Sequence, residues 1–228
     1  MLRFDGVRIA QGSFTLIADW TVPAGAKVAL IGPSGAGKST LLLALAGFVP
    51  LAAGRVVWDG HDLGPLMPSA RPVSILFQDQ NLFAHLTVAQ NLGLALAPNL
   101  RLSAGQQAHV AEVLERLGLA GLGDRRPGAL SGGQMGRAAL GRVLLQARPV
   151  LLLDEPFAAL GPALKADLLA LVAEVAADAT VLMVTHDPAD ARRFADLSVM
   201  VAQGIASAPV ATAALFADPP AALRDYLE

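Results

Sequence analysis

Gly32-Pro33-Ser34-Gly35-Ala36-Gly37-Lys38-Ser39, followed by Thr40, spells G-x-x-x-x-G-K-[ST]. The chemistry this spacing can do is to hold a phosphate chain. Its glycines let backbone N–H groups turn inward on an anion, and a helix starting there adds partial positive charge. Lys38 is placed to reach the β- and γ-phosphates, and the Ser39 hydroxyl to ligate Mg²⁺. The competing reading is a Gly-rich turn beside a surface lysine, and the flanks argue against it. Residues 27–31, Lys-Val-Ala-Leu-Ile, predict a short buried strand, and residues 39–46, rich in Leu and Ala, predict a helix. Strand, glycine loop and helix start are the context this motif requires.

Asp154 and Glu155 follow the apolar run Val150-Leu151-Leu152-Leu153. An acidic pair at the C-terminal end of a parallel strand faces the crevice where open α/β sheets bind ligands. Asp154 is then placed to hold Mg²⁺ through water, and Glu155 to orient or deprotonate an attacking water. Without the glycine loop upstream, both would read as caps of the next helix. His186 directly follows a predicted strand over 180–185, so it should reach the same crevice, where a neutral imidazole can hydrogen-bond the γ-phosphate and the water. Alone it would be an ordinary strand-end histidine. Gln78 ends a predicted strand over 72–77, and its amide suits contact with Mg²⁺ or the attacking water.

Ser131-Gly132-Gly133-Gln134, after Leu130, is a helix start in which Ser131 can cap and Gln134 can reach back. With two glycines permitting close approach, it is a second phosphate-sized anion site. A single nucleotide does not need both sites. Two copies facing head to tail would use both, each ATP lying between the loop of one and this helix start of the other. A plain capped helix is the alternative.

The elements that must position these groups follow in order. Residues 2–9 and 14–20 predict two strands joined by a turn at Gln11-Gly12-Ser13. Residues 54–60 predict a strand and 61–70 a loop. Residues 81–148 read as an all-helical insert, with capping-box spellings at Thr87-x-x-Gln90, Ser103-x-x-Gln106 and Ser131-x-x-Gln134. Gly161 precedes Pro162 at a helix start. Residues 180–185 and 197–202 predict strands, and 204–228 a partly helical tail. The fold class expected is α/β, with a core (1–80 and 149–205), a helical subdomain (81–148) and a C-terminal tail (206–228).

Composition sets limits. The chain has 228 residues and no cysteine, so neither disulfides nor a thiolate metal site is available. A net charge of −2 with no basic run argues against nucleic acid as a partner. Mean hydropathy is +0.52, yet the charge-free stretches 80–100 and 197–217 are broken by Gly, Pro and polar residues, so neither predicts a membrane span. The start, Met1-Leu2-Arg3-Phe4-Asp5, is charged at once and predicts no signal core.

Gly32 to Ser39, Gln78, Leu130 to Gln134, Leu151-Leu152-Leu153-Asp154-Glu155-Pro156 and His186, in this order and spacing, resemble the nucleotide-binding subunit of an ABC transporter over essentially the whole chain. Within that superfamily, Arg71-Pro72-Val73-Ser74-Ile75-Leu76-Phe77-Gln78 and the stretch 81–92 are similar to ATP-binding subunits of bacterial thiamine importers. The resemblance implies a P-loop NTPase (RecA-like) core with an antiparallel β subdomain and an inserted helical subdomain. It implies an ATPase that uses ATP and Mg²⁺, with Ser39, Gln78 and Asp154 around the metal, and with Glu155, His186, Lys38 and Gln78 serving hydrolysis. It further implies a head-to-tail dimer, transmembrane permease subunits, an external solute-binding protein, and a peripheral place on the cytoplasmic face of the inner membrane. A groove of the helical insert beyond Gln78, near the apolar residues 82–86, would receive a permease helix.

Three departures from the family stand out. Ala158-Ala159-Leu160-Gly161 lacks the Asp that relatives carry at Gly161. Met135-Gly136-Arg137 follows the second anion site in place of Gln or Arg pairs. Gln11 stands near the place of an adenine-stacking aromatic, and Phe14 is the nearest ring. Readings left beside a thiamine importer are an iron or polyamine importer and a non-transport ABC-type ATPase. The latter would carry two such units or a long coiled-coil insert, and this chain has neither.

Overall fold

The computed structural model describes residues 1–79, 81–157, 160–220 and 223–224. In chain order the elements are β1 (Leu2–Gln11), β2 (Phe14–Val22), β3 (Lys27–Ile31), α1 (Lys38–Ala46), β4 (Ala53–Trp58), β5 (His61–Asp62), β6 (Val73–Leu76), α2 (Val88–Gly93), α3 (Ala104–Arg116), α4 (Gly132–Leu144), β7 (Val150–Asp154), α5 (Pro162–Val175), β8 (Thr180–Val184), α6 (Pro188–Phe194), β9 (Leu197–Ala202), β10 (Ile205–Ala206), β11 (Val210–Ala211) and α7 (Thr212–Ala217). They form two compact units. The first comprises Met1–Val73, Pro149–Glu155 and Ala176–Glu228; the second comprises Ser74–Arg148 and Pro156–Val175.

In the first unit the sheet runs β5-β4-β1-β2-β10-β9-β3-β8-β7, with β11 on β9. β3, β7 and β8 are buried along their whole length and pair in parallel. Short continuous apolar runs of this kind are what strands covered on both faces require. Register aligns their ends: Asp154 of β7 lies beside Val184 of β8, and Val184 beside Leu30 of β3. The residues that follow each strand, Glu155, His186 and the glycine loop, therefore leave the sheet at one edge. β1 instead alternates, with Leu2, Phe4, Val7 and Ile9 buried, as suits a strand with one wet face.

The antiparallel strands continue into the parallel ones through β10, which pairs in parallel with β2 and antiparallel with β9. β5, β10 and β11, two residues each, and a 3₁₀ turn at Pro68–Ala70 lie where the sequence predicts loop or tail. Strands that short carry no periodicity to read.

In the second unit α2, α3 and α4 each begin with the capping box expected of them, at Thr87/Gln90, Ser103/Gln106 and Ser131/Gln134. The unit is larger than the predicted insert. It starts at Ser74 and takes in α5, while residues beyond 206 group with the first unit. α5 packs on α4, where Gly133 leaves room for Leu164: a Cβ at Gly133 would lie 2.7 Å from Leu164 Cδ2. The tail is tied to the first unit by a buried hydroxyl pair, Ser198 with Thr212, at 2.9 Å.

Candidate active site

The glycine loop leaves β3 at Gly32, whose φ is 143° and where a Cβ would overlap the Val201 carbonyl oxygen. Gly37 caps α1 at φ 101°, and a Cβ there would overlap the Phe14 ring. Both positions need glycine, one for backbone contact and the other to let an aromatic ring rest on the loop. α1 is apolar nearly all round, with Leu41, Leu42 and Leu45 buried, so its polar N-terminal residues Lys38, Ser39 and Thr40 are what it offers at the sheet edge.

Lys38 is buried, and its Nζ donates to the carbonyls of Gly32 (2.7 Å) and Pro33 (2.9 Å). Burial pushes its pKa down, while Glu155 and Asp154 draw it back up. The Ser39 hydroxyl donates to Asp154 Oδ1 at 2.8 Å. Burial raises the Asp154 pKa above the ordinary carboxylate range; the Ser39 hydrogen bond opposes this and the neighbouring Glu155 adds to it. Among the described residues no cluster of His, Cys, Asp and Glu forms a metal cage. The adjacent hydroxyl and carboxylate are instead the hard-oxygen pair that suits Mg²⁺, an ion that keeps several waters and takes the rest of its ligands from phosphate.

Glu155 adopts a left-handed backbone, φ 46°, rare for a residue with a side chain and concentrated at functional sites. Its N–H donates to the Val184 carbonyl at 3.2 Å, and its Oε1 lies against His186 Nε2. The resulting cavity, about 290 Å³, is lined by Gln11, Phe14, Lys38, Ser39, Glu155 and His186 among others. On the other side of Phe14 a second cavity of about 870 Å³ takes in Ser13, Thr15, Ser34 and Gln203. The first is lined by Lys38, Ser39, Thr40 and Glu155, groups that suit a phosphate chain; the second is roomy enough for a nucleoside.

The structure thus brings together Lys38, Ser39, Asp154, Glu155 and His186 in one unit. Gln78 and Ser131, Gly132, Gly133 and Gln134 belong to the other unit. Gln78 is exposed beyond β6. Ser131 Oγ accepts from the Gln134 N–H at 3.3 Å while the Ser131 N–H donates to Gln134 Oε1 at 2.9 Å, and a Cβ at Gly132 would meet nothing within 4 Å. Ala158 and Ala159 lie outside the described residues. Gly161 accepts from the Lys165 N–H at 3.0 Å, and a Cβ there would meet nothing within 4 Å.

The second unit also holds a groove of about 580 Å³ lined by Ile75, Phe77, Leu82, Phe83, Leu94 and Arg142 among others. Arg142 stands 5.8 Å over the exposed Phe83 ring and donates to the Asn81 carbonyl at 2.7 Å. Asn91, fully buried, fixes the groove's rim by bonding Phe83 N (2.7 Å), Phe83 O (3.1 Å) and Thr87 O (2.9 Å).

Sequence reasoning missed two buried cations. Arg71 donates to the Ala44 (3.0 Å) and Leu45 (2.7 Å) carbonyls at the end of α1, a cation at a helix C-terminus. Lys27 donates to four carbonyls at the foot of β3, those of Gly25, Ala176, Ala177 and Ala179, at 2.6–3.0 Å. No local spelling announces either, because most of the acceptors come from distant parts of the chain.

The ABC transporter family profile matches residues 17–158. The Thiamine import ATP-binding protein ThiQ of Cereibacter sphaeroides is 67% identical over 229 residues, covering 100% of this chain and 99% of that protein. The protein of the same name from Escherichia coli is 52% identical over 186 residues, covering 81% and 80%. Among solved structures, the dimeric post-hydrolysis state of the ATP-binding cassette MJ0796 bound to ADP and Pi superposes with a TM-score of 0.82 at 26% identity, covering 93% of this chain and 99% of the other.

Proposed function

The chain belongs to the ABC transporter family, and we propose that it is the ATP-hydrolysing subunit of a thiamine importer, carrying its site in the residues described above. The observation that carries the chemistry is the convergence of Lys38, Ser39, Asp154, Glu155 and His186 at one sheet edge. The solute rests on full-length similarity to proteins named for thiamine import.

In this reading the amides of the glycine loop bind the phosphate chain of ATP and Lys38 neutralises the β- and γ-phosphates. Ser39 and Asp154 would hold Mg²⁺, which would supply positive charge to the phosphates, and Gln78 keeps the metal-contacting role that the family resemblance implies. Glu155 accepts a proton from the attacking water or orients it, and His186 holds the γ-phosphate and keeps Glu155 aimed. Water adds to the γ-phosphorus as the bond to the bridging oxygen breaks, and ADP and phosphate leave. The nucleoside lies beside Phe14, whose ring lines both cavities.

The amides at Ser131, Gly132, Gly133 and Gln134 act on the nucleotide of a second copy, in keeping with the dimeric structure this chain resembles. Closure of the two copies on ATP and their release after hydrolysis drive permease subunits. The groove of Phe83 and Arg142 receives a helix of such a permease, its apolar wall buried and its cation available to that helix's C-terminal carbonyls. The chain sits peripherally at the inner face of the cell membrane. Among its described residues no helix is long and apolar enough to cross one.

Growth tests the whole reading. A source strain unable to make thiamine, with this gene deleted, should need far more external thiamine than its parent. Wild-type protein should restore low demand and Glu155→Gln should not, although Glu155→Gln should still bind ATP. Equal demand in parent and deletion strain refutes the solute assignment, and normal phosphate release by Glu155→Gln refutes the site.

A further inference from the structure

His186 is an exposed side chain whose Nε2 lies against Glu155 Oε1. The backbone on either side of it is held by a buried network. Thr185, 6% exposed, donates its N–H to the Leu30 carbonyl of β3 at 3.3 Å. Its hydroxyl accepts from the Asp187 N–H at 3.1 Å and donates to Asp190 Oδ2 at 3.2 Å. Asp190, 9% exposed, lies on α6. Asp187 in turn caps α6 by accepting from the Ala189 N–H at 2.9 Å.

We propose that Thr185 and Asp190 are positioning residues that lock the backbone of His186 so that its ring meets Glu155. The hydroxyl has one proton. A carboxylate is a stronger acceptor than the Asp187 carbonyl, which lies at 3.5 Å, so the proton points to Asp190. That choice leaves the oxygen lone pairs for the Asp187 N–H and fixes all three groups at once. His186 is then pinned from before, through Thr185 and β3, and from after, through Asp187 and α6. Glu155 is pinned to the same strand through the Val184 carbonyl, so the two partners share one frame. A methyl in place of the hydroxyl keeps the shape and removes both bonds.

The inference rests on the role given to His186 above, and the test separates the two. ATPase kcat and KM are measured on the assembled transporter carrying Thr185→Val, Thr185→Ser, Asp190→Asn, His186→Ala, and Thr185→Val with His186→Ala. Thr185→Val should lower kcat on the order of 10- to 100-fold, as loss of an orienting contact does, with KM for ATP unchanged. Thr185→Ser, which keeps the hydroxyl, should recover wild-type kcat. Asp190→Asn should lower kcat in the same direction, and it serves should Thr185→Val fail to fold. The double variant should be no slower than His186→Ala alone. Wild-type kcat in both Thr185→Val and Asp190→Asn, or a double variant slowed by the product of the two single losses, overturns the proposal. Full turnover in His186→Ala overturns the role of His186 and this inference with it. Loss in His186→Ala beside normal Thr185→Val and Asp190→Asn overturns this inference alone.

Discussion

The two ends of β3 each bury a lysine over backbone carbonyls, and they do opposite things. At the foot, Lys27 has four carbonyl acceptors for the three protons of its ammonium. At the head, Lys38 has two among the described residues, both from the glycine loop it belongs to. The first is saturated by Gly25 and by three carbonyls of the turn between α5 and β8, and it ties that turn to the strand. The second keeps donor capacity on the side where Glu155 and Asp154 lie and where a cavity opens. The same buried ammonium is a lock where its acceptors are complete and a binding group where they are not.

The largest effect expected from this difference is at the head. Lys38→Met should cut ATP turnover on the order of 10³-fold, as loss of a charge placed on developing phosphate negativity does. It should not unfold the protein, because an apolar side chain in place of a partly satisfied buried cation is neutral or stabilising. Thermal denaturation should place its Tm no more than about 2 °C below wild type. A large fall in Tm would mean that the head lysine is a lock as well.

At the foot the signs reverse. Lys27→Met removes a cation that several carbonyls share, which costs about 2 kcal/mol of stability, or about 4–8 °C in Tm. ATPase activity per folded molecule should stay at the wild-type level. Activity lost at unchanged Tm would show that the foot of β3 communicates with the loop, and the division between the two ends would fail.

What the sequence made legible follows the same division. The head of β3 is local: loop, lysine and helix start are contiguous, so residues 32–40 announce themselves. Asp154, Glu155 and His186 are remote from that loop in sequence, but each lies at or within two residues of the end of an apolar parallel strand, and parallel register delivers such residues to one edge. The foot was invisible because Lys27 meets carbonyls from Ala176 to Ala179, and a carbonyl has no residue identity to read. Thr185 and Asp190 were hidden for a related reason: their roles appear only once α6 folds back on the end of β8. α5 reads as a helix from its sequence, but whether it belongs with the core or with the helical unit is decided by Leu164 seating at Gly133, a contact with no local signal.

The smallest effect concerns the carboxylate beside Lys38. Burial holds the Asp154 pKa above that of the unfolded chain, so the folded state keeps this proton to higher pH. Folding then loses stability as pH rises between the two values, because the native state binds more protons than the unfolded one there. The contribution is full below the unfolded value of about 3.9 and gone once pH has passed the folded value. Above the folded value the protein carries a buried charge at a cost, and Asp154→Asn, which still accepts from Ser39, removes it. Melting curves in chelator should show the variant more stable than wild type at neutral pH, with the gap closing as pH falls toward 4. Adding Mg²⁺ and nucleotide should reverse the order, since a ligand stabilises only the form that binds it. A variant less stable than wild type at neutral pH in chelator would mean that the Ser39 hydrogen bond to the charged carboxylate outweighs its burial. Asp154 would then be a lock like Lys27, and the head of β3 would no longer differ from the foot.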